Sequence, residues 1–229
     1  RGRGRGDLPG PHRRPAVIPG ALQPERDCQI CPRLAAFRTE NRQKHEGFFN
    51  APVPPFGDAS AKLLIVGLAP GLKGANRTGR PFTGDYAGDL LYPTLVKFGW
   101  AQGEYGRDPA DGLHLTGCRI TNAVKCVPPQ NKPTPAEINA CQPYLKSELV
   151  VLPGLRVILA LGSIAHTSVL SAFGVRKVLY PFGHGALHEM PGDVLLADSY
   201  HCSRYNTNTG RLTPEMFEDV FRAIAKKIG

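Results

Sequence analysis

Four cysteines have the spacing of a metal site. Cys28 and Cys31 enclose two residues, so two thiolates can face one ion from a single turn, whereas Cys126 and Cys141 enclose fourteen. Structural zinc commonly uses two tight pairs. The wide second pair suits an iron–sulfur cluster as well, and spacing alone leaves both open. Cys118, at an expected strand start, and Cys202, after a His, are expected as plain buried thiols. Disulfides are not expected, because the chain is large, not cysteine-dense, and shows no secretory leader pattern.

A second set of residues surrounds the stretch GLAPGLKGANRTGRPFTGD, residues 67–85. It follows the apolar run KLLIVG as a phosphate loop would, yet it matches no phosphate loop, and its only acid, Asp85, comes at the end. Asp85 also opens DYAGDLLYPTL, where an acid can cap a helix. Phe82 puts a flat ring in a Pro-flanked turn, and Asn122 places an amide inside the apolar run ITNAVKC. That amide offers a donor and an acceptor from one group, and burying it unbonded is costly. His114, His184 and His188 with Asp193 and Asp198 raise a metal-dependent hydrolase as another class, but they scatter without helical ligand spacing.

These residues need a scaffold that brings distant segments together, and the chain alternates strand and helix signals. KLLIVG, CRITNAVKC, RVILALG and DVLLADSY read as strands. PERDCQICPRLAAFRTENRQKHE reads as a helix launched around the first cysteine pair, and residues 85–98 as a helix despite Pro93. Thr134 to Glu137 reads as a capping box opening a helix to about Leu152. SIAHTSVLSAF follows as a short helix, and Thr213 caps a closing amphipathic one. VPPQNKPTP reads as a rigid turn and HCSRYNTNTGR as a loop. The pattern predicts an α/β fold: a three-layer α/β/α sandwich with a central, mostly parallel four-stranded sheet. Ligands of such sheets sit at the carboxyl ends of the strands, where GLAPG, Asn122 and HCSRYNTNTGR converge.

Charge and hydropathy bound the partners. The net charge is +9, and five Arg and one Asp in residues 1–14 contribute +4 of it, leaving +5. Residues 1–20 are expected as a disordered basic tail, and 21–229 as a single domain. The excess permits nucleic-acid binding without requiring it. No apolar run approaches the roughly 18 residues of a membrane span, so a soluble, cytoplasmic protein is expected.

The motifs GLAPG, GRPFTGD, ITNAVKC and HCSRYNTNTGR, with the four cysteines, resemble the uracil-DNA glycosylase superfamily, and most closely its family 5, in the iron–sulfur branch. The resemblance runs from about Cys28 to the C-terminus. It implies a monofunctional DNA N-glycosylase that flips a deaminated base out of the duplex and hydrolyses its glycosidic bond. It implies a monomer in bacterial or archaeal cytoplasm, acting at the nucleoid on uracil and on hypoxanthine or modified cytosines.

The resemblance also assigns roles. Phe82 would stack on the base, Asn122 would read its edge, and His201 would stabilise charge on the departing base. Gly67, Ala69 and Gly71 would form a backbone cradle. Ala69 stands where most superfamily members carry a carboxylate or Asn, which leaves Asp85 to position or activate water. Gly71 would leave room where a Tyr in stricter enzymes excludes thymine's methyl. Ser203, Arg204, Tyr205, Asn206 and Arg211 would face DNA, although Cys202 replaces the Pro usual after the His. Cys28, Cys31, Cys126 and Cys141 would hold a structural 4Fe-4S cluster, shaping a basic DNA-facing loop with Lys125 and Lys132. The runner-up is a non-catalytic iron–sulfur nucleic-acid-binding module of the same fold.

Overall fold

Apolar runs too short for helices become strands when both faces can be covered. Here β2 (Leu63–Gly67), β5 (Cys118–Asn122), β6 (Val157–Leu161) and β8 (Val194–Ser199) lie parallel. The computed structural model describes residues 20–228. The tail expected over 1–20 lies, except for Gly20, outside them.

Among the described residues the main sheet has six strands in the order β1-β5-β2-β6-β8-β7, not the four expected. The additional strands are antiparallel edges: β1 (Phe56–Gly57) beside β5, and β7 (Leu187–Met190) beside β8. β1 is two residues in a Pro-rich connection, and β7 is the partly polar run LHEM, so neither carries a core-strand signal. A small second sheet pairs β3 (Ala101–Gln102) with β4 (His114–Leu115).

Strand alternation divides the core. Leu63, Ile65, Ile120 and Leu159 face α3 (Tyr86–Lys97) and α7 (Pro214–Ile228), whereas Leu64, Val66, Ile158 and Leu196 face α4 (Pro135–Val150) and α5 (Ser163–Phe173). α7 buries Phe217, Val220, Phe221 and Ile224, a single stripe at helical spacing. The Thr213 hydroxyl accepts from the N–H of Met216 at 3.2 Å. The capping box of α4 forms: Glu137 Oε2 accepts from Thr134 N at 2.7 Å, and Thr134 Oγ1 from Glu137 N at 3.3 Å.

An ion pair on the central sheet ties several elements of this fold together. Arg119 on β5 donates through Nε to Glu148 Oε2 on α4 at 2.7 Å, with both side chains buried. Glu148 Oε1 also accepts from Gln23 Nε2 at 2.7 Å, and Arg119 donates to the Gly57 carbonyl of β1. The pair ties an edge strand, a central strand, a helix and the N-terminal segment together.

α1 (Pro32–Lys44) starts later than expected: Cys31 is its N-cap, and Cys28 sits in the preceding turn. Two short helices lie within expected loops, α2 (Ala75–Thr78) after the GLAPG turn and α6 (Arg204–Asn208) inside HCSRYNTNTGR.

Candidate active site and four-cysteine site

A cleft of about 320 Å³ opens at the carboxyl ends of the parallel strands, large enough for a small planar ligand. Ala69 and Gly71 come from the loop after β2, Phe82 and Asp85 from the segment before α3, Asn122 from the end of β5, and His201 from beyond β8. Tyr86, Asn131 and Arg204 complete its rim. Gly67 lies beneath, where an added Cβ would run into the Asn122 amide and the Phe82 ring. Its bare backbone is what lets those two groups close on each other.

The GRPFTGD segment is a rigid platform for Phe82. Phe82 is buried with φ +53, a conformation L-residues other than glycine rarely adopt. Its backbone is held by tyrosine hydroxyls: Tyr92 donates to the Pro81 carbonyl at 2.6 Å, and Tyr105 to the Phe82 carbonyl at 3.1 Å. Arg80 anchors the turn through paired bonds to Asp111 at 2.8 and 2.7 Å. Such over-determination is how a strained residue persists. The Phe82 ring tilts against His201, centroids 6.0 Å apart.

Asn122 is 4% exposed, and its side-chain amide makes no hydrogen bond among the described residues. Buried amides are nearly always satisfied internally. One left open beside a cleft points to a ligand that supplies the partner.

Asp85 does two things at once. Oδ1 accepts from the Gly88 N–H at 3.3 Å and so caps α3, while Oδ2 lies against the glycine loop, where a Cβ on Gly74 would overlap it. Burial pushes its pKa up against the opposing hydrogen bonds from the Gly88 and Ala87 N–H groups. Burial pushes His201 down to about 4, so its imidazole is neutral near pH 7. The ring nitrogens of His201 have no hydrogen-bond partner among the described residues, while its carbonyl accepts from Asn206 Nδ2 at 2.8 Å.

The later motif residues occupy the rim. Ser203 caps α6, accepting from Asn206 N at 3.4 Å, and Tyr205 is 72% exposed. The guanidinium of Arg204 lies over the Tyr86 ring, and that of Arg211 over the Tyr200 ring. Asn131 was not singled out from sequence. Its φ of +57 in the turn before α4 brings it to the cleft, and the only sequence hint is an Asn inside a Pro-rich turn, since Asn tolerates that conformation.

Cys28, Cys31, Cys126 and Cys141 line one cavity with Arg38 and Tyr144, and no cysteine among the described residues is in a disulfide. Arg38 tests what belongs there. It is 3% exposed and forms no ion pair among the described residues; Nη1 reaches Cys126 Sγ at 3.6 Å, Nη2 donates to the Cys28 carbonyl at 2.7 Å, and Nε is buried without a partner among them. A buried guanidinium needs an anion, and four thiolates around a metal centre provide one. Burial also pushes Cys31 up to about 11 and Cys126 to about 12, and coordination to a metal ion deprotonates such thiols. The donor set therefore fits a four-thiolate metal centre. Cys118 and Cys202 are buried elsewhere in the core.

One expectation is corrected. Lys125 does not face outward: it is fully buried, its ammonium donating to Thr121 Oγ1. Only Lys132 of that pair is exposed. The histidine hydrolase centre is not assembled. His114 is exposed on β4 and His184 accepts from the Tyr200 N–H at 3.1 Å. Asp198 instead meets His188 and the unforeseen His166, on the α5 face of the sheet, away from Phe82. His166 Nδ1 lies 2.7 Å from Asp198 Oδ1 and Nε2 lies 2.9 Å from the Tyr180 carbonyl. Acceptors on both nitrogens favour the protonated form of the His166 ring and raise its pKa against burial.

Comparison with known proteins agrees with this geometry. Residues 54–225 match the family described as Uracil DNA glycosylase superfamily. A type-5 uracil-DNA glycosylase of Thermus thermophilus is 48% identical over 88% of this chain and 94% of the relative. One of Mycobacterium tuberculosis is 43% identical over 88% of this chain and 78% of its own. One of Pyrobaculum aerophilum is 39% identical over 89% and 90%, respectively. At these identities and coverages the chain belongs to the uracil-DNA glycosylase superfamily and, within it, to the type-5 branch.

Proposed function

We propose that this protein excises uracil from DNA by hydrolysing the N-glycosidic bond, leaving an abasic site. The amide of Asn122, unbonded among the described residues and lining the same cleft as Phe82 and His201, is the observation that supports it most directly. Phe82 stacks on the flipped base, and Asn122 donates to a base carbonyl and accepts from the ring N–H. As the bond from C1′ to the base nitrogen breaks, its electron pair leaves with the base. The neutral His201 donates a hydrogen bond to the oxygen that gains charge. Asp85 positions the water whose oxygen bonds to C1′ and takes up its proton, and the base anion is protonated on release. The loop Gly67–Gly71 holds these groups close by presenting backbone only. Arg204, Tyr205 and Arg211 face the DNA, while Ser203 and Asn206 shape the turn that carries His201.

The test is a labelled duplex with one uracil opposite guanine, incubated with the protein and treated with alkali. Cleavage at that position is expected. Binding without cleavage by a metal-loaded sample would replace this reading with the binding module, which no observation here favours. A parallel duplex carrying hypoxanthine measures whether the room beside Gly71 widens the range.

Gly67→Ala is expected to lower kcat by about 10²-fold, because the new methyl displaces the Asn122 amide and the Phe82 ring together. Single-turnover rates check it; a rate near wild type would mean that Asn122 and Phe82 need not meet.

Within the same proposal Cys28, Cys31, Cys126 and Cys141 hold a 4Fe-4S cluster. Hydrolysis needs no electron transfer, so the cluster supplies a cross-link, tying the start of α1 to α4 and to the turn after β5. Arg38→Met removes the only guanidinium that lines the cavity among the described residues and is expected to weaken metal retention by about 10- to 100-fold. Iron content and visible absorbance during chelator challenge read this independently of activity. Unchanged retention would mean that Arg38 serves packing alone.

A further inference from the structure

Two of the arginines proposed to face DNA share an unusual setting. Arg204 is the first residue of α6, and its guanidinium carbon lies 5.3 Å from the centre of the Tyr86 ring. Arg211 lies just beyond that helix, 4.6 Å from the centre of the Tyr200 ring. Neither guanidinium forms an ion pair or a side-chain hydrogen bond among the described residues, and both residues are exposed. By contrast Arg80 and Arg119 have their forks closed by carboxylates.

The difference matters chemically. A carboxylate occupies the in-plane N–H groups of a guanidinium, the same groups a phosphate would take. An aromatic face attracts the cation from above the plane and leaves all five N–H groups available. A tyrosine can therefore fix the side chain without competing with its ligand. Each ring is carried by a defined part of the fold. Tyr86 follows Asp85 at the start of α3, on the wall of the cleft. The Tyr200 ring is also stacked with His184, centroids 5.0 Å apart and 18° from parallel, and the backbone N–H of Tyr200 donates to His184 Nδ1.

We infer that Tyr86 and Tyr200 are positioning residues that hold Arg204 and Arg211 with their N–H groups open to DNA phosphates beside the base cleft. This rests on the DNA reading above and adds that the rings, not acids, order the contacts. Ordering the side chains beforehand removes part of the entropy cost of binding.

The experiment measures Kd by fluorescence anisotropy for a duplex with one abasic-site analogue, across a series of salt concentrations. Arg204→Ala is expected to reduce the slope of log affinity against log salt by about 0.9, the loss of one phosphate contact. Tyr86→Leu is expected to raise Kd by about 2- to 5-fold, the size of an exposed cation–π contact. Tyr86→Phe keeps the ring and is expected to bind as wild type. In an Arg204→Ala background Tyr86→Leu is expected to change nothing further. Tyr200→Leu, Tyr200→Phe and Arg211→Ala form the second cycle. Additive losses in both cycles, or unchanged binding by the Leu variants, would overturn the inference while leaving DNA binding intact. Wild-type affinity without salt dependence would overturn the DNA reading as well.

Discussion

Asp85→Asn is expected to lower kcat for uracil release by about 10²- to 10⁴-fold, the range for a positioned acid–base group, with DNA affinity unchanged. Asparagine is the informative replacement. It caps a helix about as well as aspartate, so the bond from the Gly88 N–H survives and only the charge is lost. The pH profile carries a second signature. A general base acts ionised, and burial holds the Asp85 carboxyl above its usual 3.8. The acid limb of kcat should therefore be shifted upward by that burial in wild type and disappear in the variant. Burial keeps His201 neutral above about 4, so it is the loss of the limb in Asp85→Asn that assigns it to Asp85.

Stability should move the other way. A carboxyl whose folded pKa is raised contributes stability that is present at acid pH and lost as pH rises through that pKa. Near pH 7 the ionised Asp85 is therefore a burden on the fold, and Asp85→Asn should melt at the same temperature or higher. A variant that keeps its rate within about threefold would reduce Asp85 to a helix cap and leave catalysis to His201 and the backbone.

Glu148→Gln is expected to cost about 3–5 kcal/mol of stability, the usual result of leaving one member of a buried ion pair alone. Arg119 would remain buried without its carboxylate, and Lys125, pushed down to about 8 by burial, would lose the acid that counters that burial. For a chain of this size each 1 kcal/mol shifts Tm by about 2–4 °C, so a fall of about 6–20 °C should appear in thermal unfolding. The double replacement Arg119→Met with Glu148→Leu should lose less than the single one, since no charge is stranded. A single-variant loss below about 1 kcal/mol would show that Arg119 finds water instead. Asn122 sits three residues further along β5, so turnover well below Tm should be little affected.

How much was legible in the sequence depended on how local each feature is. The four parallel strands, the α4 capping box and the Thr213 cap were readable because each is a short-range pattern of apolar period or side-chain-to-backbone bonding. So were the motif loops, which must lie at strand ends whatever the packing. The edge strands were not, because β1 and β7 exist only through pairing with β5 and β8. Nor was the burial of Lys125, which a charge count places outside.

The sequence by itself determined that this is an α/β protein with a four-cysteine site and a glycine-rich loop ending in one acid. Tertiary structure decided what those parts face. It turned Asp85 into a cap and a cleft acid at once, left Asn122 without an internal partner, and set Phe82 in a strained backbone held by Tyr92 and Tyr105. It also gave Arg38 to the thiols, and Arg204 and Arg211 to tyrosine faces. Each of these pairings joins residues far apart in the chain or depends on what burial removes from water. A propensity or a spacing acts over a few residues, whereas a partner is assigned only when the whole sheet brings two segments together.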